Sequence, residues 1–183
     1  MFIQTEATPN PATLKFIPGQ QVLDSGTADF PNNEAAERSS LARRLFEVEN
    51  VERVFFSTDF ISITKADGEW QHLKPAILGV IMKHYTSGLP VLEPTAGAAD
   101  ADGSDAEDDE VVKQIKELLD TRVRPAVAQD GGDIVFHGFE NGVVLLHMQG
   151  ACAGCPSSAM TLKHGIENML RHYIPEVIEV QQI

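Results

Sequence analysis

Between Lys83 and Lys113 the chain carries no lysine or arginine but eight acidic residues, Glu93, Asp100, Asp102, Asp105, Glu107, Asp108, Asp109 and Glu110. Pro90, Pro94, Gly97, Gly103 and several alanines lie among them. A stretch of this composition buries too little apolar surface to offset the entropy of ordering it, and its like charges hold it extended. It therefore predicts a division into a domain over residues 1–88, a flexible acidic linker over 89–110 and a domain over 111–183. Each of the two domains is long enough for a small core.

Most of the net charge of −13 belongs to that linker, since residues 1–88 carry 11 acids against 8 bases and residues 111–183 carry 8 against 6. The balance excludes nucleic acid and an anionic membrane surface as expected partners, because phosphate binding needs a basic footprint. No run of about 18 apolar residues predicts a bilayer span. The opening MFIQTEATPNP has neither a basic-then-apolar leader nor an Arg/Ser-rich transit segment. The expected compartment is therefore a bacterial-type cytoplasm, unless the chain is a mature form already stripped of its leader.

In the first domain, Phe2–Glu6 and Thr13–Ile17 are short strand candidates around the loop Thr8-Pro9-Asn10-Pro11, whose prolines exclude a helix. Ser39 or Ser40 caps a helix to about Val48, with Leu41, Leu45 and Val48 on one face. Val51–Ser57 and Phe60–Lys65 form a hairpin in which Ile61 and Ile63 alternate with Ser62 and Thr64. A helix after Trp70 presents Leu73, Ile77, Val80, Ile81 and His84, with Pro75 in its first turn. Trp70, Phe55 and Phe56 are expected core anchors. The domain contains no cysteine, and its expected role is recognition or regulation.

The second domain opens with a one-sided helix of Val112, Ile115, Leu119, Val123 and Ala126, which Pro125 should kink or end. Asp130-Gly131-Gly132-Asp133 turns into a strand over Ile134–Phe139. Asn141-Gly142 then predicts a hairpin with Val143–Gln149. A helix bearing Leu162, Ile166, Met169, Leu170 and Tyr173 runs to Pro175, and Val177–Ile183 closes the chain as a strand. The fold class is α+β, with two small mixed α/β domains. The C-terminal one is α-β-β-α-β, a three-stranded sheet covered by helices.

The only two cysteines, Cys152 and Cys155, lie in Gly150-Ala151-Cys152-Ala153-Gly154-Cys155-Pro156-Ser157-Ser158, between a strand and the next helix. A helix N-terminus favours thiolate over thiol through its unpaired N–H groups and partial positive charge. Ala153 and Gly154 leave room for backbone amides to approach bound sulfur. Exposed thiolates, close backbone and small neighbours suit a soft metal or an iron–sulfur cluster. None of the six histidines has ligand spacing to the pair, so a second copy is needed to reach four thiolates: a C₂ axis beside this turn gives Cys₄. A dithiol oxidoreductase, a zinc-only dimer and inert cysteines remain open on these residues alone. Thioredoxin-like pairs, however, follow an early βαβ unit rather than a hairpin. Asp130–Asp133 is expected to be a structural turn, with shaping of the cysteine site as its other reading. Lys163 and His164 are expected on an exposed helix face.

Asp130-Gly131-Gly132-Asp133-Ile134, the GACAGCPSS stretch, Thr161-Leu162-Lys163 and Ile166-Glu167 together resemble the C-terminal module of NifU-like proteins, the Nfu family of iron–sulfur cluster scaffolds and carriers. Met1–Pro11 with Leu14-Lys15-Phe16 is similar to the N-terminal domain of the two-domain members. The resemblance implies that Cys152 and Cys155 are the cluster and metal ligands. It further implies a homodimer holding one [4Fe–4S] cluster between two such pairs. The cluster would arrive from an upstream scaffold and pass to apo iron–sulfur proteins. On this reading the protein is no enzyme, and it takes the cytoplasmic form of the bacterial members.

Overall fold

A computed structural model describes residues 1–93, 110–153 and 156–183, with only the backbone described for 156–158. The chain separates into two compact units, Met1–Ala98 and Ala99–Ile183. Both mix helices and sheet, as the α+β class requires. Most of the expected acidic linker, residues 94–109, lies outside the described residues.

In the first unit five antiparallel strands take the order β1-β2-β5-β4-β3. These are β1 (Gln4–Ala7), β2 (Thr13–Ile17), β3 (Ala28–Phe30), β4 (Val51–Phe56) and β5 (Ile61–Lys65). The expected strand over Phe2–Glu6 is displaced towards the turn, because Gln4–Ala7 pairs with Leu14–Ile17 and leaves Met1 and Phe2 exposed. At the centre of the sheet, Thr13 faces Thr64 and their hydroxyls bond at 2.8 Å. Helix α1 (Ser40–Phe46) starts at Ser39, whose Oγ accepts from the Ala42 N–H at 3.1 Å. Helix α2 (Trp70–Ser87) ends at Gly88 in the left-handed conformation. Both helices bury one face with the sheet, so Leu41, Leu45, Leu73, Ile77 and Ile81 share a core with Phe16, Val54, Phe56, Ile61 and Ile63. Removing one of these rings would cost roughly 3–5 kcal/mol. Trp70 packs against this core while its Nε1–H reaches the Pro11 carbonyl at 3.2 Å. Phe55 and Phe56 are fully buried, as core anchors should be.

After α2 the chain turns back across α1. Ser40 Oγ donates to the Pro90 carbonyl, Ser39 Oγ donates to the Val91 carbonyl, and Arg43 pairs with Glu93.

The second unit begins with α3 (Glu110–Leu118), passes through a π-helical turn at Leu119–Val123 and continues as α4 (Arg124–Gln129). Pro125 explains the interruption: it lacks an N–H for the carbonyl four residues back, and its ring crowds that carbonyl. The chain widens by one turn and then resumes, with Pro125 in the first turn of α4. Strands β6 (Gly132–Glu140) and β7 (Val143–Gly150) form the expected hairpin. Asn141 and Gly142 both have positive φ, 51° and 81°, the requirement of a type I′ turn. Helix α5 (Pro156–Tyr173) then leads to β8 (Glu179–Gln182), which pairs parallel to β7. The sheet order is β6-β7-β8. Ile115, Leu119, Val123 and Val127 from the first helices meet Ile166 and Leu170 of α5 over Ile134, Val144, Leu146 and Val180.

Candidate functional site

Both ends of the β6–β7 hairpin stem converge on the cysteine turn. Gly132, the first residue of β6, pairs with Gly150, the last of β7. Gly150 has φ 63°, a left-handed value that turns the chain sharply out of the strand with no Cβ penalty. The Ala151 N–H then donates to the Gly131 carbonyl at 3.1 Å, and Ala153 N–H to the Gly150 carbonyl at 3.1 Å. These bonds fold residues 150–153 into a tight turn directly against Gly131-Gly132. The helix that follows in the sequence, α5, is 18 residues long and starts at Pro156.

Cys152 is buried, 5% exposed, among the apolar residues of the unit. The expectation of exposed thiolates therefore fails for this residue, because the thiol sits on the bare backbone of Gly132. A Cβ there would lie 2.6 Å from Cys152 Sγ and 2.8 Å from the Gln149 carbonyl oxygen. Close backbone and small neighbours are present as expected. Cys155 lies outside the described residues. Among the described residues no cluster of three or more His, Cys, Asp or Glu is arranged to hold a metal ion.

The second reading of Asp130–Asp133 gains weight here, since this turn forms the wall behind Cys152. Its last residue, Asp133, is buried and held by a two-pronged pair with Arg124. Arg124 Nε donates to Asp133 Oδ1 at 3.0 Å and Nη2 to Oδ2 at 2.9 Å. The Ile134 N–H adds a bond to Oδ1 at 2.8 Å, and Arg124 Nη1 reaches Asp120 at 3.1 Å. Hydrogen bonding to Asp133, more than any other influence, holds the Arg124 guanidinium above even its ordinary basicity. Sequence reasoning marked Pro125 and missed its neighbour Arg124. The only available signal was the acid–base spacing Asp120…Arg124, one helical turn apart.

Lys163 pairs with Glu179 of β8 at 3.7 Å, and His164 is exposed, so both belong to the outer face of α5. One argument against dithiol chemistry weakens: β7, α5 and the parallel β8 form a β-α-β crossover, so the cysteine turn is not simply a hairpin followed by a helix.

The chain matches two family models. Residues 3–88 match the scaffold protein Nfu/NifU N-terminal model, and residues 115–181 match the NifU-like domain. It is 56% identical over its full length to the human "NFU1 iron-sulfur cluster scaffold homolog, mitochondrial", covering 72% of that protein. Two fly relatives with the same description, from Drosophila ananassae and Drosophila sechellia, are 56% and 57% identical over the whole chain. The chain spans just under two thirds of their length, 64% and 65%. The solution structure of a NifU-like protein from Saccharomyces cerevisiae is 28% identical over 52% of this chain and 87% of its own, with a TM-score of 0.47. No described helix is long and apolar enough to cross a membrane.

These relatives overturn the cytoplasmic expectation. Proteins that match every part of the chain are named mitochondrial, and this points to the mitochondrion instead. The earlier reading rested on the first eleven residues, which carry no compartment information when the relatives extend beyond the match. With both domain models in chain order and a human relative that matches the whole of this chain, the chain belongs to the Nfu family of iron–sulfur cluster scaffold proteins.

Proposed function

We propose that this protein is a scaffold and carrier for iron–sulfur clusters, with Cys152 and Cys155 as its ligands. The observation that carries the reading is one CxxC pair in the sequence, just before α5 and within the segment that matches the NifU-like domain, with its first cysteine seated on Gly132. Two thiolates from each of two chains hold one bridging [4Fe–4S] cluster, and the cluster is cargo. It arrives from an upstream scaffold and leaves for an apo iron–sulfur protein by thiolate replacement, in the manner of thiol–disulfide exchange. A cluster bonded to each chain by only two ligands is released when the pair of chains opens. Burial of Cys152 implies that its side chain swings off Gly132 when the cluster is taken up. The chain contributes ligands and shelter, and no catalytic residue is assigned. Residues 1–88 act as the recognition module and 111–183 as the cluster module, joined by the acidic segment 89–110.

Anaerobic reconstitution with iron and sulfide, followed by metal, sulfide and native-mass analysis, tests the proposal. The expected product is a dimer with one [4Fe–4S] cluster, absent when either Cys152→Ser or Cys155→Ser is introduced. One cluster on a monomer sinks the bridging arrangement. The β7-α5-β8 crossover keeps a dithiol oxidoreductase as the second reading, and colourless protein that reduces a disulfide substrate would favour it.

A further inference from the structure

Asp133 follows Gly132 in the chain and pairs with Arg124, which in turn pairs with Asp120, and the proposed chemistry uses none of the three. Asp133 is 4% exposed, and its carboxylate is gripped on both oxygens by the Arg124 fork. A two-pronged guanidinium–carboxylate pair fixes orientation as well as distance. The residue before Asp133 is Gly132, whose backbone is the seat of the Cys152 thiol. One residue earlier, the Gly131 carbonyl accepts the Ala151 N–H. Any shift of Asp133 is thus passed through one peptide unit to Gly132 and through two to Gly131, and so to two of the contacts that hold the cysteine turn. The π-helical turn at Leu119–Val123 sets where Arg124 leaves the helix.

We infer that Arg124 is a positioning residue for Cys152, acting through Asp133 and the Gly131–Gly132 backbone. It touches neither the thiol nor the cargo. It keeps Cys152 seated and hidden until the turn opens. The inference rests on the scaffold reading only for its second measurement.

The first measurement uses the full chain carrying Cys155→Ser, which leaves Cys152 as the sole thiol. Alkylation by iodoacetamide is timed at a temperature where circular dichroism shows each variant folded. A buried thiol reacts only when its turn opens, and charge-assisted hydrogen bonds lost with the fork favour that opening, so Arg124→Gln is expected to speed alkylation roughly tenfold or more. Arg124→Lys keeps the charge but loses the fork, and is expected to give part of that increase. Asp120→Asn removes only an exposed partner and leaves the rate unchanged. Folded Arg124→Gln and Arg124→Lys chains with the parent rate overturn the inference. Failure of both variants to fold also overturns it, because Arg124 is then a stability element alone.

The second measurement follows cluster loss to a chelator in the two-cysteine chain, where Arg124→Gln is expected to shorten the lifetime roughly tenfold or more. A loaded parent whose lifetime the substitution leaves unchanged counts against the inference. If the parent binds no cluster while the alkylation rates still separate, the scaffold reading fails and the positioning role stands.

Discussion

A Cβ added to Gly132 would sit 2.6 Å from the sulfur of Cys152, closer than side chains pack anywhere in a relaxed core. Nine residues after β7 begins at Val143, the chain brings Cys152 back onto the bare backbone of Gly132. The Gly132→Ala variant must therefore displace either the thiol or the hairpin stem. The expected cost is about 1–3 kcal/mol, typical of overpacking. Hydrogen exchange at the β6 and β7 amides measures it, together with faster alkylation of Cys152. Parent-like exchange and thiol reactivity would contradict the packing described.

The far end of the same hairpin makes a second prediction. Gly142 has φ 81°, and a Cβ there would lie 2.7 Å from two carbons of Ile178. Gly142→Ala should destabilise the C-terminal unit through both backbone strain and this clash, by roughly 1–3 kcal/mol. Adding Ile178→Ala should recover only the clash. Chemical denaturation followed by far-UV circular dichroism separates the two contributions. Full recovery would show that the positive φ costs nothing.

In the N-terminal unit, the fully buried His84 links stability to pH. Burial holds its imidazole below the ordinary 6.5, the Arg44 charge adds to the effect, and the Leu89 backbone opposes it. The unfolded chain therefore binds the proton more readily than the fold does. Stability is complete above about pH 6.5 and declines as the pH falls from there through the lower folded value. Trp70 is the only tryptophan, so its fluorescence follows unfolding of this unit. His84→Leu should lose less stability than the parent between about pH 7 and 5. Parallel pH curves for the two chains would refute the assignment.

Ser39 does two jobs with one hydroxyl, accepting the Ala42 N–H and donating to the Val91 carbonyl. Loss of a helix cap alone costs about 1 kcal/mol. Ser39→Ala should exceed that, because it also leaves the Val91 carbonyl without this donor. Thermal unfolding followed at Trp70 gives the figure, with Ser40→Ala as the milder comparison, since Ser40 Oγ bonds Pro90 at the surface.

Local chemistry made much of this fold legible. Asn141-Gly142 specified its turn, Ser39 its helix start, and Thr13–Ile17 its strand to the residue. Strand β3 was not legible, because Ala28–Phe30 is three residues long and exists by pairing with Val54–Phe56. The parallel pairing of β8 escaped for a similar reason: periodicity gives a strand but not its direction or neighbour. At the site, residue types and spacing identified the cysteine turn and the glycine-rich turn separately. Their contact depends on the hairpin register that sets Gly132 opposite Gly150. Burial of Cys152 and the part played by Arg124 follow from that register, so neither could be read along the chain.

The Gly142 carbonyl accepts both the Ile178 and Glu179 N–H groups, at 2.7 and 3.2 Å, just where β8 begins its pairing. The β6–β7 hairpin closes over two residues and belongs to the fast, local part of folding. Docking of β8 must instead close a loop that contains the cysteine turn and all of α5, and such closure is slow. During synthesis the thiols emerge before the last strand exists to complete the sheet. The seat of Cys152 lies at the Gly132–Gly150 end of the hairpin, whereas Glu179–Gln182 pairs with Val143–Leu146 at the other, so the cysteine turn takes shape first and the sheet beneath α5 is completed after it.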